Sequence, residues 1–254
     1  ENDEYTYHHS VHVSILSVAL GQRLGLRRKA LTDLGMSSLF HDMGKIEVPS
    51  EILNKATKLS GGEWEIMRQH PLWGVRAILK LKGFDDISLR TAIVAFEHHL
   101  NYNLSGYPKL RNTLKLDLFS RIVTIADQYD AMTSSRVYAR TPVAPDRALS
   151  IMVDRSGTQL DPYLTKLFIN MVGIYPIGSL VMLNTKELGL VFESNPNPDF
   201  LDRPRVIIVV GSKGNRVKQN VDLMEKDDAD NFKRSIVTTL DPNQYRVNLA
   251  EYLL

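Results

Sequence analysis

Residues of the types that ligate metals lie at the ends or turns of five separate segments in the first half of the chain. All seven histidines of this 254-residue sequence occur within its first 99 residues. The chain has no cysteine, so any metal must be held by nitrogen and oxygen, and imidazole with carboxylate suits Fe, Mn, Zn or Ni. A fold that gathers these segments would build one site. The candidate ligands are His9, His41 with Asp42, His70, His98 with His99, and Asp127.

Apolar residues recur at helical spacing through most of the first 172 residues. A capping-box pair, Ser60 and Glu63, predicts the start of one helix, and Pro71 interrupts or restarts it. Residues 101–112 are rich in turn formers and predict a loop. We predict helices over 8–26, 26–40, 61–70, 73–82, 87–99, 116–133, 144–155 and 162–172.

The pattern changes after Tyr175-Pro176. Short β-type runs at 179–183 and 188–192 flank a turn, and 205–210 and 235–239 predict two more strands. We therefore predict two domains, a helical catalytic domain over 1–176 and a small β-rich region over 177–254.

The most informative local motif is His41-Asp42 followed by Lys45. A carboxylate beside a histidine can bridge two ions about 3.5 to 4 Å apart, and such a pair polarises a phosphoryl group and generates hydroxide at neutral pH. Lys45 would then be the cation for a phosphate oxygen. Taken alone, Lys45 is also explained as a surface lysine at a helix C-terminus, and His8 and His12 as capping or core groups.

The charge of the chain limits its partners. A formal net charge of +2 and a pI of about 8.7 fall short of the strong positive field that binding to a DNA or RNA polymer needs, whereas a small anionic ligand is compatible. No apolar run reaches the length of a membrane span, and the start shows no signal pattern. We expect a soluble cytoplasmic protein without membrane contact in this segment. The missing initiator Met suggests a piece of a longer chain.

Five motifs together resemble the HD-GYP family, and the similarity runs from about His9 to Tyr175. The resemblance implies a mainly α fold, an HD-superfamily helical bundle followed by a small β-rich C-terminal extension. The motifs are His41-Asp42-x-Gly44-Lys45, His70-Pro71, His98-His99, Gly106-Tyr107-Pro108 and Asp127-x-x-Asp130-Ala131.

Members of that family are bacterial metal-dependent phosphohydrolases that open cyclic dinucleotides, chiefly cyclic di-GMP, in signalling. The expected reaction is hydrolysis to linear pGpG, GMP or both. The resemblance implies that Asp42 bridges two metals and that Lys45 contacts the scissile phosphate, so these two residues are the catalytic candidates. The implied metal ligands are His9, His41, Asp42, His70, His98, His99 and Asp127. The implied substrate-binding residues are Lys45, Gly106, Tyr107, Pro108, Arg136 and Arg140. Arg140 is adjacent to a position that carries a basic residue in most family members.

Three departures from the family pattern affect these expectations. Members with three metals carry Glu where this chain has Tyr5, so we expect two divalent ions, Fe or Mn, with Ni or Zn as alternatives. Leu100 replaces the usual acidic residue after the double histidine. Asn103-Leu104 replaces the usual Asp-Gly before the Gly-Tyr-Pro loop.

These departures leave other functions open. The chain could be a catalytically weak or inactive module that binds a cyclic dinucleotide, or an HD phosphohydrolase that acts on another nucleotide. A scaffold that acts through the β-rich tail is a third option. We also expect an upstream sensor or receiver domain in the full-length protein, and a homodimer is an open alternative.

Overall fold

The computed structural model describes residues 2–55, 57–82, 86–109, 115–134, 142–240 and 245. These residues confirm the predicted fold class, since helices come first and a β-sheet follows. The helices are α1 (Asn2–Arg23), α2 (Arg28–Leu39), α3 (Ser50–Leu53), α4 (Gly61–Met67), α5 (His70–Lys82), α6 (Asp86–Glu97), α7 (Leu118–Thr133), α8 (Pro145–Arg155) and α9 (Pro162–Val172), with 3₁₀ helices at Met43–Glu47 and Pro198–Phe200. The strands are β1 (Leu180–Leu183), β2 (Leu188–Glu193), β3 (Arg205–Val210), β4 (Arg216–Asp222) and β5 (Ile236–Leu240).

The chain divides into two compact units. The first comprises Glu1–Val143 and Ile151–Phe168, and the second comprises Ala144–Ser150 and Ile169–Leu254. The domain boundary that we place near residue 176 stays a prediction.

In the first unit, α1 packs against α2 and α7, α2 packs against α6, and α5 packs against α6. The 3₁₀ helix Met43–Glu47 lies against α5. Helix α7 is central, because nine of its sixteen residues, Ile122 and Ile125 among them, are buried. The packing of these helices brings residues distant in sequence to one place.

The predicted helix starting at residue 61 is shorter than expected. Ser60 and Glu63 form the predicted capping box, but α4 ends at Met67. A new helix, α5, begins at His70 and includes Pro71 in its first turn. Proline is tolerated there because the first N–H groups of a helix have no partner within it. His70 therefore begins a helix rather than ending one.

The second unit contains an antiparallel sheet with the strand order β4-β3-β2-β1-β5. Successive residues of a strand face opposite sides, and both sides of β3 are apolar and buried, with Val206 and Ile208 on one and Ile207 and Val209 on the other. This accounts for the continuous apolar run that predicted a buried strand.

Strand β4 was not predicted from the sequence. It has only two apolar residues, Val217 and Val221, among exposed polar and charged side chains. Both valines pack on the same side of the sheet, because they lie an even number of residues apart. Pairing with β3 rather than local propensity explains this strand.

Among the described residues, no helix combines the length and the apolar character that crossing a membrane requires.

Candidate metal centre

The loop after α2 carries His41 and Asp42 into the interior of the first unit. His41 is fully buried and Asp42 is 5 % exposed. The 3₁₀ helix that follows comes close to the first turn of α5. A Cβ atom on Gly44 would lie 1.9 Å from the carbonyl oxygen of His70 and 2.4 Å from the amide nitrogen of Gly74. Only glycine permits this approach, which places His70 beside His41-Asp42.

Three histidines are held in the same way. The Nδ1 atoms of His41, His70 and His98 lie 2.6, 2.8 and 3.0 Å from the backbone carbonyl oxygens of the residues three positions earlier. A carbonyl oxygen can only accept a hydrogen bond, so each Nδ1 carries the proton. In the neutral ring, Nε2 then has a free lone pair, which is the form that ligates a metal.

These Nε2 atoms converge on the carboxylate of Asp42. His41 Nε2 lies 3.4 Å from Oδ2, whereas the Nε2 atoms of His70 and His98 lie 3.4 and 3.5 Å from Oδ1. The Nε2 atoms of His70 and His98 are 3.3 Å apart. Lone pairs on several nitrogens and oxygens therefore face one another in a buried space.

The donor set fits a metal centre with two positions. Asp42 with His70, His98 and His99 forms one group of ligand atoms, and Asp42 with His9 and His41 forms a second. The two groups share only Asp42. Within the described part of the chain, His41 Nε2 and Asp42 Oδ1 are buried and make no hydrogen bond. Buried polar atoms are almost always satisfied, and a cation on each side of Asp42 would satisfy both.

His9 is held by carboxylates rather than by a carbonyl. Its Nδ1 donates to Asp130 Oδ2 at 2.6 Å, and its Nε2 lies 3.1 Å from Asp127 Oδ1 and 3.8 Å from Asp42 Oδ2. Burial lowers the pKa of His9, but the hydrogen bonds to Asp127 and Asp130 raise it to about 9. A metal at this position would replace the proton on Nε2.

Asp130 is a site residue for which no role was predicted, although it belongs to one of the five motifs. It is buried, and it also accepts from Ser134 Oγ at 2.7 Å and lies 3.2 Å from His12 Nδ1. Its spacing of three residues from Asp127 was the available signal, because that spacing puts both carboxylates on one side of α7. His12 is half-exposed and His8 is exposed, so neither is a core group.

The protonation states suit metal binding. Burial lowers the pKa of His70 to about 3 and lowers that of His99 well below its ordinary value, so both rings are neutral at pH 7. Burial raises the pKa of Asp42, but the positive charge of Lys45, together with the contacts from the His41 and His98 imidazoles, outweighs that effect and holds the pKa well below its usual range. Asp42 is therefore an anion.

Lys45 lies at the edge of the cluster. Its Nζ donates to Asp42 Oδ2 at 2.5 Å, and about a quarter of its side chain is exposed. The ammonium group thus adjoins both the buried carboxylate and solvent.

The Gly-Tyr-Pro segment, Gly106-Tyr107-Pro108, lies against the histidines. The Tyr107 ring centroid is 4.6 Å from that of His99, with an interplanar angle of 32°, and 6.2 Å from that of His70. Gly106 has a φ of +99°, and a Cβ there would lie 2.4 Å from the His99 carbonyl oxygen. The segment therefore needs glycine at 106 to place Tyr107 on His99.

The structure shows where the residues that depart from the family pattern lie. Leu100 is 1 % exposed, so it is a core residue. Leu104 has a φ of +65°, a conformation that glycine adopts more readily. Asn103 Oδ1 accepts from the backbone and the hydroxyl of Ser105, which holds the loop in place. Tyr5 lies on α1. Arg136 and Arg140 lie outside the described residues.

Comparisons with known proteins identify the family of the chain. The family model described as HD domain matches residues 2–164. The chain is 36 % identical over 222 residues to the cyclic di-GMP phosphodiesterase PA4108 of Pseudomonas aeruginosa, covering 87 % of this chain and 52 % of that protein. It is 32 % identical over 158 residues to the 3′3′-cGAMP-specific phosphodiesterase 3 of Vibrio cholerae, covering 62 % and 33 %.

A solved structure shows the same fold. The HDG"Y"P protein Bd1817 of Bdellovibrio bacteriovorus superposes with a TM-score of 0.52 at 22 % identity, covering 64 % of this chain and 51 % of that one. The chain thus spans at most about half the length of each of these relatives. The chain belongs to the HD-domain family.

Proposed function

We propose that this chain is a metal-dependent phosphodiesterase that hydrolyses a cyclic dinucleotide, cyclic di-GMP, to linear pGpG, GMP or both. The observation that carries the proposal is the sharing of Asp42 by two groups of ligand atoms, with the Lys45 ammonium beside it. The similarity to a cyclic di-GMP phosphodiesterase and a 3′3′-cGAMP-specific phosphodiesterase supports the substrate class.

Two divalent ions, Fe or Mn, are the proposed cofactors, and Ni and Zn suit the same donors. The proposed ligands are His70, His98, His99 and Asp42 for one ion and His9, His41, Asp127 and Asp42 for the other. When bound, such ions supply Lewis acidity and a water of lowered pKa. The buried lone pairs that converge on Asp42 support this assignment.

The residues of the chain have distinct parts in the reaction. The carbonyl bonds fix the histidines in the ligating tautomer, and Asp130 orients His9. Lys45 places a positive charge where the equatorial oxygens of a phosphodiester accumulate negative charge. Burial raises the pKa of Tyr107, so its phenol stays protonated and can donate to a substrate oxygen. Gly106, Tyr107 and Pro108 shape the nucleotide pocket, and Arg136 and Arg140 are proposed phosphate contacts.

The test measures metal content and turnover on the same anaerobic sample of the chain. We expect close to two equivalents of Fe or Mn and conversion of cyclic di-GMP to pGpG or GMP. Asp42→Asn should lose both metal and turnover, whereas Asp154→Asn, an exposed acid on α8, should lose neither. A metal-loaded sample that leaves cyclic di-GMP and its mixed guanine-adenine analogue intact would refute the proposal.

A mixed guanine-adenine cyclic dinucleotide is the second candidate substrate. The 32 % sequence identity to the 3′3′-cGAMP-specific phosphodiesterase 3 of Vibrio cholerae supports this candidate. Product analysis with both dinucleotides at equal concentration separates the two candidates. Binding without products in the same experiment would support the inactive-module alternative, to which Tyr5 and Leu100 point.

We also propose that the domain boundary lies at residue 176, which limited proteolysis tests, and that the chain forms a homodimer, which sedimentation of the purified chain tests. For the full-length protein we propose a cytoplasmic location and an upstream sensor or receiver domain.

A further inference from the structure

Three side chains outside the metal ligands form a row that leads away from the candidate metal centre. The guanidinium carbon of Arg68 lies 5.8 Å from the ring centroid of Trp64 and 5.9 Å from that of Tyr107. Tyr107 in turn lies against His99. We call Trp64, Arg68 and Tyr107 the stacking row. It connects a proposed metal ligand to the protein surface.

The stacking row is fixed to the metal centre by the turn that joins α4 to α5. Arg68 directly follows α4 as its C-cap residue, and its backbone N–H donates to the Trp64 carbonyl at 2.9 Å. In the same turn, the Met67 carbonyl accepts from His70 Nδ1. One short segment therefore positions both a metal-ligating imidazole and the Arg68 side chain.

The outer part of the stacking row is open to solvent. Trp64 is 43 % exposed, and 48 % of the Arg68 side chain is exposed. Arg68 Nη1 lies 2.9 Å from Glu65 Oε1, but the Glu65 side chain is 69 % exposed, and ion pairs of this kind contribute little. Arg68 has five N–H donors, so it retains donors for a ligand.

We infer that Arg68, supported by Trp64, selects guanine over adenine at the position beside the metal centre. This inference rests on the proposed function. Guanine presents two acceptors, O6 and N7, that match the fork of an arginine, whereas adenine presents N7 next to an amino donor. Arginine has no acceptor for that amino group. The exposed Trp64 ring offers the flat face on which a base stacks.

The experiment compares cyclic di-GMP with cyclic di-AMP on the metal-loaded chain. It measures kcat/KM for both dinucleotides and, by calorimetry, their affinities. The variants are Arg68→Lys, which keeps the charge but loses the fork, and Trp64→Leu, which loses the stacking face. Arg76→Lys, at an exposed arginine on α5, is the matched control.

The wild-type chain should prefer cyclic di-GMP, and Arg68→Lys should reduce that preference in both measurements by a factor of roughly 5 to 150, the range for one bidentate base contact. Trp64→Leu should weaken the binding of both dinucleotides, and Arg76→Lys should leave the preference unchanged. An unchanged preference in Arg68→Lys, or equal use of both dinucleotides by the wild-type chain, would overturn the inference while leaving the proposed function standing. A wild-type chain that neither binds nor hydrolyses either one would overturn both.

Discussion

At the scale of single residues, the site depends on groups that never contact the proposed metals directly. Three histidines use backbone carbonyls to fix their tautomer, and His9 uses the carboxylate of Asp130 instead. The ligands themselves could be proposed from residue type and position. The spacing of Asp130 from Asp127 placed both on one side of α7, but it could not reveal the contact of Asp130 with His9 across 121 residues of sequence.

Replacing Asp130 by Asn should weaken metal binding by about 10- to 100-fold, the usual loss for a partner of a ligating histidine. The amide keeps the shape of the side chain but removes the charge that orients His9. Metal titration by calorimetry measures the change. Asp117→Asn on the cap of the same helix is the control, because Asn caps helices as well as Asp does. Equal metal affinity in Asp130→Asn and the wild-type chain would contradict the assigned role.

At the scale of elements, close contact between the 3₁₀ helix Met43–Glu47 and α5 determines the spacing of the site. The sequence predicted helices with useful accuracy, because their apolar stripes reflect one buried side. It missed β4 and the start of a helix at His70. Strand β4 depends on pairing with β3, and the start of α5 depends on the fit of Pro71 into a first turn. Neither feature produces a local periodic pattern in the sequence.

Gly44→Ala should destabilise the first unit by about 3 kcal/mol and lower its metal content, because the added Cβ would overlap the backbone of α5. Urea unfolding and metal analysis measure the two effects. Gly62→Ala provides the contrast, since no atom lies within 4 Å of its added Cβ. That change should stabilise α4 by about 0.5 to 1 kcal/mol. Similar stabilities for the two variants would show that the contact is unimportant.

In the second unit, an ion pair joins the β1–β2 turn to the segment before β5. Arg234 contacts both carboxylate oxygens of Glu187, at 2.7 and 3.2 Å. The hydrogen bond from Arg234 lowers the pKa of Glu187 below its ordinary value of 4.5. A carboxylate with a depressed folded-state pKa stabilises the fold above its unfolded pKa, and this stabilisation is lost as the pH falls through the folded pKa.

Glu187→Gln should therefore cost about 1 kcal/mol near pH 7, and the difference from the wild-type chain should shrink below about pH 4.5. Urea unfolding at a series of pH values, monitored by a probe in the second unit, measures this difference. Glu193→Gln is the control, because its pair with Arg205 is half-exposed and should contribute little at any pH. If the difference in unfolding free energy between Glu187→Gln and the wild-type chain grew on acidification, the prediction would be contradicted.

At the scale of the whole molecule, every proposed ligand belongs to the first of the two units, and none is proposed from the described strands of the sheet. Chelation of the metals should therefore lower amide hydrogen-exchange protection around residues 41–45, 70 and 98–99 and leave β1–β5 unaffected. The melting temperature should fall by roughly 5 to 10 °C if the free metal had been about 100 times its dissociation constant. Uniform loss of protection in both units would contradict this localisation.

The distance in sequence between the ligands has a consequence for how the protein acquires its metals. In the unfolded chain only short-range pairs such as His41-Asp42 and His98-His99 stay close, whereas joining His9 to Asp127 closes a loop of more than a hundred residues at a considerable cost in chain entropy. Such pairs offer too few donors for a full ligand set, so the proposed ions would bind only after the helices have assembled. Metal loading would then report that folding of the first unit is complete.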